Sequence, residues 1–283
     1  MLVHAIGCLI CPLCGADLSV DAGSVRCAGN HSFDIARQGY VNLLPGGARR
    51  PGTADTAAMV EARAAFLAEG HFGSLAAALA DRVAALTGGS GCIVDAGAGP
   101  GYYLATALER CPHAVGVAVD ISKFAARRAA KAHPRIAAVV ADLWARLPVR
   151  SGTASAIINV FAPRHVTEFH RVLHAAGALV VVTPTARHLR EVVGPLRLLS
   201  VDDDKARHVD AALGRRFSLA DRAEHELRLE LSHPAVETLV RMGPSAWHHS
   251  QEEVRRRLAA LPDPLGVTAS FTISAYRPAP ADG

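Results

Sequence analysis

Residues 92–103 constrain the fold of this chain more than any other stretch. Their sequence, Cys-Ile-Val-Asp-Ala-Gly-Ala-Gly-Pro-Gly-Tyr-Tyr, places three glycines at alternate positions between an apolar segment and an alanine-rich helical pattern. This predicts a buried strand, a tight turn and the start of a helix. Glycines at that density let the backbone adopt positive φ and approach a ligand closely, and a helix N-terminus offers unpaired N–H groups to it.

Two nucleotide-binding turns compete for this pattern. The dinucleotide fingerprint G-x-G-x-x-G binds a pyrophosphate at the helix N-terminus. Here Gly101 comes one residue too early, and the strand ends in Asp95, which would repel a pyrophosphate but can pair with a cationic ligand. The pattern resembles motif I of the class I S-adenosylmethionine (AdoMet) methyltransferases. In that class the acidic residue lies near the methionine end of the cofactor, and the glycines, here Gly97, Gly99 and Gly101, face the adenosine.

Two further acidic residues end the next predicted strands. Val115–Asp120 is apolar and ends about 20 residues beyond the glycines, where nucleotide-binding βαβ units bind a ribose hydroxyl. A third apolar stretch, Ile136–Val140, leads to Asp142, where methyltransferases of this class usually contact the adenine. Strands of a parallel sheet that each end in a polar residue gather those groups along one carboxyl edge. Ordinary turn residues are the alternative interpretation, and it is strongest for Asp142.

Length and composition leave room for one α/β domain and a smaller unit, since the chain has 283 residues and half are hydrophobic. The net charge of +4 fits a polyanionic partner but does not require one. No apolar run reaches the roughly 18 residues of a membrane span, and residues 1–10 lack the charged start of a signal peptide. We therefore expect a cytoplasmic protein, in which six cysteines favour metal ligands or free thiols over disulfides.

Four of the cysteines lie within the first 27 residues. Cys11, Cys14, Cys27 and His31 follow the spacing C-x2-C-x12-C-x3-H, which predicts a closed tetrahedral zinc site of structural type. Cys8 stands at the same spacing from Cys11. The proline and glycine beside Cys11 and Cys14 favour those two as the knuckle, so we expect Cys8 to be a buried thiol.

The chain divides into three predicted segments. These are a zinc-binding domain over residues 1–45, a linker over 46–58 and a methyltransferase domain over 59–283. The linker is rich in proline and glycine and carries Arg49 and Arg50. After a helical pattern over 59–87, broken around 71–73, the remaining predicted strands and helices follow the glycine turn. Later strands are expected over 155–161, 177–182, 225–232 and 267–275, a charged helical region over 189–222, and a helix over 235–242.

The last two strands alternate as antiparallel strands do, which completes the Rossmann-like seven-stranded sheet of a class I methyltransferase, an α/β fold. Residues 159–163 fall where this class carries its target-facing motif, but they lack the Asn-Pro-Pro-Tyr tetrad of amino-directed DNA enzymes. An exocyclic amine is therefore not the favoured acceptor. His188 follows the strand over 177–182, and by residue type alone it is a surface or helix-capping histidine.

Taken together, these motifs resemble the 23S ribosomal RNA guanine-N1 methyltransferase family, which modifies the loop of hairpin 35. The resemblance covers nearly the whole chain. It rests on the zinc knuckle, His31-Ser-Phe-Asp34, Gly39-Tyr-Val-Asn-Leu-Leu44, Ala62–Leu67 with Gly70-His-Phe72, Asn159–Arg164, Thr183–Leu189 and Met242–His248. The segments over 159–164, 183–189 and 242–248 look most like an actinobacterial branch that protects producers of tylosin- and mycinamicin-type macrolides.

The resemblance implies a structural zinc, an AdoMet cofactor and a homodimer whose paired zinc domains frame an RNA cleft. It also implies cofactor contacts from Phe72, Gly101, Tyr102 and His188. Family members usually have tyrosine where Phe72 stands, so a hydroxyl contact there would be missing. Together with the sequence motifs, the predicted cofactor site comprises Phe72, Asp95, Gly97, Gly99, Gly101, Tyr102, Asp120, Asp142, Asn159 and His188.

Transfer of a methyl group from AdoMet to guanine N1 requires removal of the N1 proton. Asp34 and Asn159 are candidates, although an asparagine could only polarise. Plausible partners of the RNA phosphates are Arg37, Arg49, Arg50, Arg164 and Arg187. Two other functions remain open at this stage: methylation of a small antibiotic precursor, and RNA binding by a zinc ribbon whose cofactor fold is vestigial. The arginines and zinc knuckle speak against the first, and the intact glycine motif speaks against the second.

Overall fold

A computed structural model of the chain describes residues 2–45, 54–198, 205–243 and 250–279. Its N-terminal unit opens with a short helix and a 3-10 turn over residues 6–8 and then forms four strands. The elements are α1 (Leu2–Ala5), β1 (Leu18–Asp21), β2 (Ser24–Cys27), β3 (Ser32–Asp34) and β4 (Val41–Asn42). The first three strands pair antiparallel in a small sheet, whereas β4 joins the large sheet of the rest of the chain.

The large unit alternates helices and strands, as the sequence predicts. Its elements are α2 (Ala57–Ala68), α3 (Gly73–Thr87), β5 (Ser90–Ala96), α4 (Tyr102–Arg110), β6 (His113–Asp120), α5 (Lys123–Ala132), β7 (Ile136–Val140), β8 (Ala154–Val160), α6 (Val166–Val172), β9 (Leu173–Pro184), α7 (Arg190–Leu196), α8 (Lys205–Leu213), β10 (Phe217–Leu231), α9 (His233–Arg241), α10 (Gln251–Leu258) and β11 (Leu265–Pro278).

The strands form one mixed sheet in the order β10-β11-β9-β8-β5-β6-β7-β4. The pairs from β4 through β9 are parallel, and β11 runs antiparallel to both β9 and β10. Without β4 this is the seven-stranded sheet of a class I methyltransferase, so the predicted fold class is confirmed. The chain reverses its direction of winding between β5 and β8, and in open α/β sheets ligands bind outside the carboxyl ends of the strands at such a point.

Both faces of the central strands of the sheet are buried, and successive side chains of each strand point to opposite faces. Ile93 and Ile158 face one apolar cluster, which includes α2, α3 and α4. Val94 and Ile157 face the other, to which the N-terminal unit contributes side chains such as Leu9. Among the described helices, none is long and apolar enough to cross a membrane.

The N-terminal unit is tied to the sheet by its backbone as well as by apolar contacts. Leu9 forms an antiparallel bridge with Val149, and the amide of Arg150 donates to the carbonyl of Cys8 at 2.8 Å. The Arg150 guanidinium also pairs with Asp17 at 2.6 Å. The zinc ribbon is therefore fixed against the large sheet along two lines, through these contacts and through β4 beside β7.

Several elements differ from the sequence prediction, among them β10 and α10. The sequence predicts a charged helical region over 189–222, but β10 begins at Phe217 and continues for 15 residues beside β11. β10 is the outermost strand of the described sheet, and most of its side chains, many of them charged, are exposed. The strand therefore lacks the buried apolar face by which a strand is predicted from sequence. Helix α10 was not predicted, because it is short and presents only Val254 and Leu258 to the core. Most of the predicted linker, residues 46–53, lies outside the described residues, and α2 begins within its end, with Thr56 as the N-cap.

Candidate active site and metal centre

The glycine turn after β5 is held by hydrogen bonds to the next strand. The amides of Gly97 and Ala98 both donate to the carbonyl of Val119 on β6. The amide of Gly99 donates to Oδ2 of Asp120 at 2.8 Å, and the amide of Ser122 donates to Oδ1 at the same distance. Asp120 thus accepts hydrogen bonds from the glycine turn and from the residue before α5. Each of its carboxylate oxygens retains a lone pair for a further donor.

Each glycine of the turn has a different steric reason, although all three have positive φ. A Cβ on Gly97 would lie 2.3 Å from the Cβ of Ala162, in the loop after β8. A Cβ on Gly101 would lie 2.9 Å from the Cα of Ala129, so this glycine lets α4 pack against α5. Only Gly99 has no close backbone neighbour; the guanidinium of Arg63 lies 3.5 Å from its virtual Cβ. Gly99 is therefore the position where a ligand could approach the main chain.

Asp95 lies at the end of β5 with 1 % of its surface exposed. Its Oδ2 atom is buried without a hydrogen-bond partner. Burial raises the pKa of Asp95 well above its usual range, and the nearby charge of Asp120 raises it further. An unpartnered buried carboxylate oxygen is costly for the protein alone, so the geometry fits a ligand that brings a positive charge or a donor to this end of the turn.

Arg63 on α2 closes the turn from above. Its guanidinium pairs with Asp55 and donates to the carbonyl of Met242 at 2.7 Å. Ser122 connects the same region by donating from its hydroxyl to the carbonyl of Asp55. Through Asp55, the segment before α2 is thus bound to Arg63 and to Ser122, next to the carboxyl end of β6. Arg63 lies within the Ala62–Leu67 segment of the family resemblance, which gives it no role of its own; the sequence signal for one is that Arg63 is the single cation of the alanine-rich helix α2.

The acidic residue after β7 is used locally. Oδ1 of Asp142 accepts the amide of Trp144 at 2.9 Å, and the carbonyl of Asp142 accepts the amide of Ala145. This is an Asx turn, and it presents Trp144 with 62 % of its surface exposed. Leu143 lies within 3.6 Å of the virtual Cβ of Gly97, so the loop borders the glycine turn. The predicted adenine-side position of Asp142 stays a prediction.

Aromatic rings line the other side of the carboxyl edge. Phe271 on β11 packs edge-on against Phe72, with ring centroids 5.3 Å apart, and 4.7 Å from His188. Phe72 is buried at the start of α3, so its ring contributes mainly to the core. Nδ1 of His188 accepts the amide of Ser270 at 3.3 Å, and burial lowers the pKa of His188 to about 4. His188 is therefore neutral near pH 7 with its proton on Nε2.

Tyr102 begins α4 directly after the turn and is half-buried against the ring of Tyr103. Burial raises the pKa of Tyr102, so its hydroxyl is neutral and available as a donor. The predicted contact of Tyr102 with the cofactor stays a prediction.

Asn159 is fully buried at the end of β8, and its side chain is engaged. Its Nδ2 donates to the carbonyls of Ala96 and Pro163, at 2.9 and 3.0 Å. Its Oδ1 accepts from Arg164, whose guanidinium also donates to the carbonyl of Ala162. Asn159 and Arg164 thus hold the loop after β8 against β5. With these bonds in place, Asn159 is suited to fix this loop and Arg164 is not a free surface cation.

The other predicted RNA contacts differ in availability. Arg37 is exposed in the turn between β3 and β4 and forms no ion pair with the described residues. Arg187 pairs with Glu224 at 2.7 Å and with Glu226 at 2.9 Å, so its charge is already neutralised. Arg49 and Arg50 lie outside the described residues. Asp34 is exposed on β3, within the small sheet of the N-terminal unit.

The four predicted metal ligands converge in the N-terminal unit. The ligand atoms of Cys11, Cys14, Cys27 and His31 all lie within 4.8 Å of one another. The Sγ atoms of Cys14 and Cys27 are 3.6 Å apart, and Nδ1 of His31 lies 3.4 Å from Sγ of Cys27. Tetrahedral zinc with usual bond lengths requires edges of about 3.8 Å between thiolates and about 3.6 Å between thiolate and imidazole.

The donor set and spacing therefore fit a closed Cys3His zinc site that leaves no position for a substrate. Burial opposes ionisation of the Cys27 thiol, but hydrogen bonds from the His31 backbone and the neighbouring thiols outweigh it and lower its pKa to about 7. Cys8 is buried beside Cys92 and is not one of the four converging ligands, as expected.

Loss of one zinc ligand should destabilise more than the ribbon, because the ribbon's apolar residues belong to the same cluster as the sheet. We expect Cys27→Ser to abolish zinc retention and to lower the free energy of unfolding by at least about 3 kcal/mol. Metal analysis and urea unfolding of the full chain measure both effects. Cys8→Ser is the matched control: it should retain one zinc per chain, and equal zinc loss in the two variants would refute the assignment.

Two family models match the two parts of the chain that contain these sites. Residues 9–50 match a zinc-ribbon family described as RlmA, N-terminal, and residues 93–182 match a methyltransferase domain. The first match contains all four metal ligands. The second runs from β5 to β9 and contains the glycine turn and the loops after β6, β7 and β8.

Three relatives cover most of the chain. A Micromonospora griseorubida protein assigned by name to the 23S rRNA (guanine-N(1)-)-methyltransferases is 49% identical, over 95% of this chain and 97% of its own length. The 23S rRNA (guanine(748)-N(1))-methyltransferase of Streptomyces fradiae is 45% identical, over 99% and 100%. YxjB of Bacillus subtilis, assigned by name to the same activity, is 30% identical, over 86% and 88%. With its Cys3His ribbon and AdoMet-type glycine turn, the chain belongs to the 23S rRNA (guanine-N1)-methyltransferase family.

Proposed function

We propose that this protein transfers the methyl group of AdoMet to N1 of a guanine in the hairpin 35 loop of 23S rRNA. The observation that carries the proposal is the unpartnered, buried carboxylate of Asp95 beside a glycine turn that leaves room at Gly99. It lies in a chain that is 45% identical, over 99% of its length, to an enzyme named for guanine 748. That relative makes the corresponding guanine the first candidate.

Different residues of the cleft would contact different parts of the cofactor. Asp95 would hold the cationic methionine end, Gly97, Gly99, Gly101 and Tyr102 would face the adenosine, and Asp120 would accept a ribose hydroxyl. Asp142 would lie on the adenine side, with His188 and Phe72 along the aromatic wall. When bound, AdoMet supplies an electrophilic methyl group on a sulfonium. The protein's task is to hold a nitrogen lone pair in line with that group.

The target guanine must leave its stack and lose its N1 proton. In a hairpin loop the unstacking costs little. Asn159 would act by positioning, since its amide is engaged with the backbone and Arg164. Asp34 stays a candidate for the proton, provided that the RNA brings the ribbon and the cleft to the same base.

RNA recognition would use the seam between ribbon and sheet. The guanidinium of Arg146 lies 3.8 Å from the virtual Cβ of Gly15, at the tip of the zinc knuckle. Two large apolar side chains near this contact in sequence, Leu13 and Trp144, are exposed. Cations next to exposed apolar side chains suit phosphates and unpaired bases. Arg37, exposed on the same unit, adds a phosphate contact, as Arg49 and Arg50 could from the adjoining segment. Arg164 and Arg187 would contact RNA only by exchanging their present partners.

Three finer features complete the proposal. A homodimer would place two ribbons around one RNA hairpin, as the family resemblance implies. Its cellular place would be the cytoplasm, where the ribosomal RNA is. The modification would confer resistance to macrolides of the mycinamicin and tylosin type, which a drug-susceptibility assay in a methyltransferase-null host would test.

The reaction itself is tested by primer extension across hairpin 35, using RNA from a methyltransferase-null host with and without this protein. N1 methylation blocks Watson–Crick pairing, so we expect a new reverse-transcriptase stop at one guanine of the loop. Asp95→Ala should remove the stop, and Asp81→Ala, an exposed carboxylate on α3, should retain it. Methyl incorporation into a small molecule, or into nothing while AdoMet is bound, would refute the proposal.

The raised pKa of Asp95 predicts a pH dependence of cofactor binding. Burial favours the neutral form of Asp95 and a cationic ligand favours the ionised form, so AdoMet affinity should increase as pH rises through that pKa. Asp95→Asn should weaken binding about 10- to 100-fold at neutral pH and remove the pH dependence. Calorimetric titration over a series of pH values measures both. An unchanged pH profile in the variant would contradict the role of this carboxylate.

Arg37 offers a test of the ribbon as an RNA-binding surface. Arg37→Ala should lower affinity for a hairpin 35 RNA at low salt and reduce the slope of log affinity against log salt by about one unit. Arg256→Ala on α10 removes an exposed cation elsewhere and should leave both quantities unchanged. Equal effects of the two variants would mean that only net charge matters.

A further inference from the structure

Phe161 occupies a backbone conformation that phenylalanine rarely adopts. Its φ is +54°, in the left-handed region where a bulky side chain is strained. It directly follows β8 at the carboxyl edge of the sheet, and 45% of its surface is exposed. A residue that is both strained and solvent-facing contributes little to stability, which points to a role in binding.

Four hydrogen bonds hold this conformation. The Phe161 amide donates to the carbonyl of Val182 at 3.2 Å. Asn159 donates to the carbonyl of Pro163, and Arg164 donates both to Asn159 Oδ1 and to the carbonyl of Ala162, at 3.2 Å each. Strained residues persist where the surroundings fix them in this way. The hydrogen bonds of the buried Asn159 amide thus fix the conformation of the loop that carries Phe161.

The loop lies at the point where the sheet reverses its winding, between β5 and β8. Ala162 is in contact with the glycine turn, since it occupies the space that a Cβ on Gly97 would need. The Phe161 ring is nearly parallel to that of His188, at 28° with centroids 6.4 Å apart, and lies 5.4 Å from that of Phe271. Aromatic neighbours therefore support the ring next to the proposed cofactor cleft, while nearly half of the residue stays open.

We propose that Phe161 forms a stacking subsite for the purine ring of the nucleotide to be methylated. The inference rests on the proposed function and extends it to the target side of the cleft. A base taken out of its loop loses stacking, and a fixed phenyl ring restores it while limiting the base to one plane. Asn159 and Arg164 are the positioning residues of this subsite. Stacking on a ring would leave the N1 edge of the purine free to face the methyl donor.

The test compares Phe161→Leu with Phe161→Trp in the full chain, using a hairpin 35 RNA and AdoMet. Loss of one stacking contact corresponds to a decrease of about 5- to 100-fold in kcat/KM for the RNA. We expect that decrease in the leucine variant and activity within about threefold of wild type in the tryptophan variant. AdoMet affinity, measured by calorimetry, should be unchanged in both. A merely structural role would not be restored by the larger ring.

Controls separate the possible outcomes. Phe124→Leu changes a phenylalanine of similar exposure on α5 and should keep wild-type kinetics. If Phe161→Leu fails to fold, Phe161→Gly replaces it, because glycine favours this φ; it should fold and lose RNA methylation. If the wild-type protein methylates the RNA and the leucine or glycine variant does so equally well, the stacking subsite is refuted and the proposed function stands. A wild-type protein that methylates no RNA overturns the proposed function, and with it the assignment of a purine to this subsite.

Discussion

The carboxylate of Asp120 is the interaction on which the cofactor cleft depends. It accepts the amides of Gly99 and Ser122, and so joins the turn after β5 to the start of α5. Burial raises the pKa of Asp120, partly opposed by these two N–H donors. Without this carboxylate, the amide of Gly99 would have to find another acceptor at the place where the backbone must stay open for a ligand. The same residue also raises the pKa of Asp95, so one carboxylate fixes the turn and influences the charge of the other.

Two features of the site are unfavourable for the protein alone, namely the orphan oxygen of Asp95 and the left-handed backbone of Phe161. Rigid surroundings hold both features in place. Asp95 lies on the central strand β5, between β6 and β8. The loop at Phe161 is held by hydrogen bonds that involve Asn159, Arg164 and Val182. The apolar clusters on both faces of the sheet supply the stability that tolerates them. A ligand that satisfies Asp95 and a base that covers Phe161 would each convert a local cost into binding free energy.

Much of this arrangement could be predicted from the sequence, because it follows local rules. Strand periodicity, the spacing of the glycines and the cysteine pattern led to the seven-stranded sheet, the turn after β5 and the four converging metal ligands. What could not be predicted depends on contacts between residues distant in the chain. Arg63 meets Met242, Arg187 meets Glu224, and Asn159 turns inward to Ala96. Residue type alone predicted Arg187 as a phosphate partner and predicted no role for Phe161. A local sequence pattern shows neither the ion pairs of Arg187 nor the φ angle of Phe161.

Strand β4 gives the ribbon a second consequence. Val41 and Asn42 pair with Val139 and Val140, so the metal-bound unit covers what would otherwise be the open edge of β7, a short and wholly apolar strand. Unpaired edges of that kind recruit other chains. At the opposite side, β10 presents charged residues along most of its length and needs no such cover. A zinc ion that holds the N-terminal unit folded would thereby also keep this edge paired, and loss of the metal would favour pairing of β7 with other chains.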